Sequence, residues 1–79
     1  MAFSEELYLN LRNRLQRLIG DVQERKVEKD DASGSSTALL CRIEEIEREL
    51  GLVVNKEESE RLTNLRRLHS QLEQRIRNS

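Results

Sequence analysis

The chain has no proline and no tryptophan, and a single phenylalanine, tyrosine, histidine and cysteine each among its 79 residues. Each shortage excludes something. Without proline nothing forces a helix to stop. Without tryptophan and with so few aromatic rings, no large side chain anchors a core. A lone cysteine, Cys41, cannot close an internal disulfide and fits a reducing compartment, so an intracellular location, cytoplasmic or nuclear, is expected. One Cys and one His cannot fill a tetrahedral zinc site, and the carboxylates lie in solvated charge runs. There is no glycine-rich phosphate loop. Cys41 and His69 would form a nucleophile–base pair only if the fold brought them together, and no orienting acid or oxyanion hole accompanies them. Neither catalysis, a cofactor, a metal nor a small-molecule substrate is expected.

Long apolar runs are missing too. No segment approaches the roughly 20 apolar residues of a membrane span. The N-terminal stretch lacks the continuous apolar region of a secretory signal, and Glu5 and Glu6 argue against a mitochondrial presequence despite Arg12, Arg14 and Arg17. Net charge is −1, so bulk attraction to nucleic acid or to an anionic membrane is not expected.

What is abundant is charge and leucine. Charged residues make up 37% and hydrophobic residues 35% of the chain, against about 25% and roughly 45–50% in an average domain. Such a composition favours helices with narrow apolar stripes, and the periodicity agrees. Leu7, Leu11, Leu15, Leu18 and Val22 recur in steps of three and four, with Phe3 leading into them and Tyr8, Leu9 and Ile19 widening the stripe. Ser4 is placed to cap this first helix, Phe3 and Tyr8 are spaced as a hydrophobic staple, and the early glutamates suit the helix dipole. The helix is expected over about 5–29, with Gly20-Asp21 a point of weakness and more a kink than a break.

Residues 30–37, Asp-Asp-Ala-Ser-Gly-Ser-Ser-Thr, are polar, small and rich in Gly and Ser. They read as a flexible loop, or as a tether, natural or engineered, between two helical partner fragments. A second helix is expected over about 38–50, capped by Ser36 or Thr37, with Leu39, Ile43, Ile46 and Leu50 as a heptad seam. Gly51 stops it, with Leu52 positioned to pack back on the cap. Asn55 and Glu58 have capping-box spacing and open a third helix over about 56–77, whose seam is Leu62, Leu65, His69, Leu72 and Ile76, flanked by Leu68. The fold class is therefore all-α: one small module of three helices, with an antiparallel hairpin over 38–79.

Two features suggest a function. The third helix, at about 33 Å, is expected to overhang a second helix of about 20 Å. Leu72 and Ile76 would then need cover from the first helix or from a second molecule. His69 places a polar group in that seam, where such residues fix register or oligomeric state. Acidic Glu44 and Glu45 on the second helix, with Glu47 and Glu49, face basic Arg66, Arg67 and Arg75 on the third, the pattern of a charge-pairing rim. The excess of arginine, 11 against 3 lysines, also suits protein interfaces. The expected function is non-catalytic protein–protein association, as an oligomerisation or scaffold module, with another helical protein or a second copy as partner. The alternative is nucleic-acid binding through the basic last helix. It is disfavoured because the stripe has no interleaved aromatic residues. The segment around Glu-Leu-Gly-Leu resembles a helix-turn-helix only superficially, since the following helix opens Lys-Glu-Glu-Ser-Glu.

Overall fold

A computed structural model of the chain describes residues 4–51 and 55–78. Three α-helices run up, down and up: α1 Glu5–Gln23, α2 Lys29–Leu50 and α3 Lys56–Asn78. All three pack against one another in a bundle about 39 Å long and 17 Å across. The expected all-α fold and the α2–α3 hairpin are both present.

The helix starts follow from the local chemistry. Ser4 Oγ accepts from the backbone N–H of Leu7 at 3.1 Å, and Asn55 Oδ1 accepts from that of Glu58 at 2.8 Å. Each satisfies one of the donors a helix start leaves unpaired. Gly51 ends α2 at φ 65°, donating to the Glu47 carbonyl at 3.1 Å. The left-handed backbone this needs is strained for any residue with a Cβ. The expected contributions of Phe3 and Leu52 lie outside the described residues.

The connection between α1 and α2 departs from expectation. α1 passes through Gly20 and ends at Gln23, short of residue 29. The Lys26 N–H donates to the Asp21 carbonyl at 2.8 Å, and the Arg25 N–H donates to the Val22 carbonyl at 3.2 Å. This is the paired bonding of a Schellman cap, and its left-handed position at φ 58° is filled by Arg25, where glycine is usual. A stop made without glycine leaves no glycine in the sequence to mark it.

The largest correction concerns residues 30–37. They form neither a loop nor a tether but part of the first half of α2. By propensity alone Gly34, the three serines and Thr37 disfavour helix by a total of order 3 kcal/mol relative to alanine. Tertiary packing overrides this. Ala32 and Ser36 are fully buried and extend the α2 seam to Ala32, Ser36, Leu39, Ile43, Ile46 and Leu50, in steps of four and three. The hydroxyls that compete with a helix elsewhere are engaged compatibly with it here. Thr37 Oγ1 donates to the Ser33 carbonyl at 3.0 Å, and Ser36 is bonded across to α3.

The longer α2 also removes the expected overhang. α2 has 22 residues and α3 has 23, so α3 does not overhang, and Leu72 and Ile76 are buried within the chain. One core joins Leu11, Leu15 and Val22 of α1, Leu39, Ile43 and Ile46 of α2, and Leu62, Leu65, Leu72 and Ile76 of α3. Leu7, Tyr8, Leu18, Ile19, Val27, Leu50 and Leu68 pack around it half-buried.

Candidate functional site: the seams of the bundle

The stripes expected to seek a partner meet each other inside the bundle. Of the fourteen residues singled out as interface, all but Leu7, Leu18 and Leu50 are buried, and those three are half-buried against the core. The surface left exposed is therefore the flanks of the helices, and the three seams differ.

The α2–α3 seam is closed by polar bonds. The Ser36 hydroxyl donates to Glu73 Oε1 at 2.8 Å, and Ser36 Oγ lies 3.0 Å from His69 Nε2. With its proton committed to Glu73, Ser36 accepts from the Nε2–H of the ring. His69 Nε2 also lies 3.4 Å from Glu73 Oε1. Ser, His and Glu together have the composition of a catalytic triad but not its geometry. A triad directs the serine to one ring nitrogen and the acid to the other, whereas here both reach Nε2. Ser36 is also fully buried. The cluster locks one register of α2 on α3. The sequence pointed to His69 as a polar seam residue. It missed Ser36 and Glu73, although continuing the heptad back from Leu39 lands on Ser36.

The rim forms in part. The Arg66 guanidinium reaches both carboxylate oxygens of Glu47, with Nε to Oε2 at 3.0 Å. The hydrogen bond to Glu47, with the charges of Glu47 and Glu44 behind it, raises the Arg66 pKa above its usual value against a desolvation that lowers it. Glu45 pairs instead within its own helix, with Arg42 at 3.3 Å. Arg67 and Arg75 are exposed and form no ion pair with a described residue. A basic stripe on α3 is thus interrupted by the engaged Arg66. Cys41 is exposed on the outside of α2, so it does not meet the buried His69.

The α1–α3 seam is closed by Tyr8. Its hydroxyl accepts from Asn64 Nδ2, and its ring lies 5.8 Å from the guanidinium carbons of both Arg12 and Arg61, within cation–π range.

The α1–α2 seam is the open one, for these two helices approach each other least. Two adjoining depressions of about 360 and 340 Å³ run along it and share Arg14. The first takes Leu7 and Leu11 as its floor, with Glu6, Asn10 and Arg42 at the sides. The second takes Leu18 and Leu39, with Arg17, Asp21, Ser35 and Ala38. The α2 bank is built from small side chains, Ser35 and Ala38, both exposed. Compared with known protein families, curated proteins and solved structures, the chain shows no match. Any functional reading therefore rests on this geometry. Among the described residues no group of His, Cys, Asp and Glu is placed to hold a metal, and no described helix is long and apolar enough to cross a membrane.

Proposed function

We propose that the chain is a non-catalytic protein–protein association module that works as a preformed three-helix unit and receives a partner along its open α1–α2 side. The observation that supports this is the unequal closure of the seams. Two are tied by cross-helix polar groups, while the third leaves Leu7 and Leu18 half-covered at its surface. A bundle gains stability by covering such leucines, and a fourth helix is the element whose shape fits between two neighbouring helices. This reading keeps the association expected from the sequence but moves it from the core stripes to the flanks. A nucleic-acid role through α3 draws less support, since Arg66 is engaged by Glu47.

The test is position-specific. A photo-crosslinking residue placed at Ala38 of the full chain, in its own cells, is expected to yield discrete adducts. The same probe at Ser70, a small and likewise exposed residue of α3, is expected to yield none. Equal adducts from both positions, or none from Ala38, would sink the proposal.

A further inference from the structure

We infer that the occupant of the α1–α2 groove is an amphipathic helix of a different protein, apolar along one stripe and flanked by carboxylates. This rests on the association reading above and adds the chemistry of the partner.

The groove carries charges of both signs. Its basic groups are Arg14 and Arg17 on α1 and Arg42 on α2, and its acidic groups are Glu6 and Asp21 on α1. Arg42 has a partner in Glu45. Arg14 and Arg17 are exposed, and neither lies within ion-pair distance of a described carboxylate. Other arginines of the bundle, Arg61 and Arg66, are held by glutamates. The groove thus keeps unneutralised guanidinium groups beside an apolar floor. A planar, weakly hydrated fork with no internal partner suits a carboxylate brought by another chain.

The floor decides the shape of that chain. Leu7, Leu11, Leu18 and Leu39 line the two depressions in sequence along the bundle. Leu7 and Leu18, the two that stay half-buried, lie about three turns apart on α1 and ask for apolar residues at a similar interval on the occupant. Ser35 and Ala38 let its backbone approach α2 closely. A second copy of this chain fits less well. Its own α1–α2 side would bring the same excess of arginine over carboxylate against this one, because the interface of a twofold dimer is made of the same patch twice.

The experiment uses the intact chain and three synthetic probes. Each is a helical peptide of about 20 residues with leucines at spacings of three and four, flanked by Glu, by Gln or by Lys. Binding is read from backbone amide chemical shifts, titrated at low and high salt. The Glu-flanked peptide is expected to shift the amides around Leu7, Arg14, Leu18 and Ala38 and to lose affinity with salt, and the Lys-flanked peptide to leave them unmoved. Replacing Arg14 and Arg17 together by Ala should weaken the Glu-flanked peptide by roughly fivefold, two exposed ion pairs being lost. An unchanged circular dichroism spectrum would show that the bundle persists. Arg14→Glu with Arg17→Glu should transfer binding to the Lys-flanked peptide, which a purely structural role of these residues would not produce. Three outcomes overturn the inference. Equal binding of all three peptides in the groove removes the acidic partner and leaves the association reading standing. A concentration-dependent doubling of mass by light scattering that protects the same amides makes a second copy the occupant. Failure of every peptide to shift the groove removes the helical occupant, and the Ala38 crosslink then decides the association reading by itself.

Discussion

The α2–α3 seam and the α1–α2 seam are built from the same kinds of residue and do opposite things with them. In the first, a serine, a histidine and a glutamate meet in register, and an arginine clasps a glutamate across the helices. In the second, arginines stand along a row of leucines without such bonds. Cross-helix polar bonds contribute modestly to stability but penalise every other register, because a shifted helix leaves buried polar groups unsatisfied. A leucine-floored groove specifies little internally and keeps its surface available. The difference suggests a division of labour, one seam fixing the fold and the other facing outward.

The comparison can be broken most severely through the core. Leu65→Ala and Ile43→Ala remove fully buried side chains and should each cost about 2–5 kcal/mol in urea denaturation. Leu18→Ala, on the open side and half-buried, should cost about 1 kcal/mol, as expected for partial burial. Equal losses would mean that the two seams are equally closed. A double-mutant cycle of Ser36→Ala and His69→Leu comes next in size. Ser36→Ala alone is expected to destabilise by about 1–2 kcal/mol. The pair should show a coupling of at least about 0.5 kcal/mol, since the residues are in contact. Strict additivity would deny the polar cluster its role in setting register.

Smaller effects sharpen the picture of α2. A Cβ added at Gly34 meets nothing within 4 Å. Gly34→Ala should therefore raise stability by about 1 kcal/mol, the difference in helix propensity. Gly34→Pro, tolerable in a loop, should by contrast cost about 3 kcal/mol in this helix interior. Arg25→Gly relieves a left-handed backbone that costs roughly 1–2 kcal/mol in a residue with a Cβ, less the entropy glycine adds to the unfolded chain. A net gain of about 0.5 kcal/mol is expected, read as a small rise in melting temperature. Arg66→Ala should change little, by under about 1 kcal/mol, because the pair with Glu47 is only partly buried, and that small loss should shrink further in high salt.

Much of this fold was legible in the sequence, and the unread part has a common cause. Ser4, Gly51 and Asn55 act through bonds to neighbours three or four residues away, and such local signals can be read directly. The leucine and isoleucine spacings gave the buried faces of all three helices for the same reason. Residues 30–37 misled because their helicity depends on partners more than 30 residues distant, with Ser36 completed by His69 and Glu73. The end of α1 misled because Arg25 occupies a position where glycine is the usual marker. The site was less legible still. The sequence identified the apolar stripes but not which would be spent on each other. The groove with Arg14, Arg17 and Arg42 exists only once α1 and α2 lie side by side.

An odd number of antiparallel helices also separates the start of α1 from the end of α3. α1 begins at one end of the bundle and α3 finishes at the other, across a body 39 Å long. A hairpin or a four-helix bundle would return the chain to where it started. Here, whatever is joined to the first helix and whatever is joined to the last are held apart by the full length of the rod. A helix lying in the α1–α2 groove would run alongside that rod, so the module would serve as both strut and clamp.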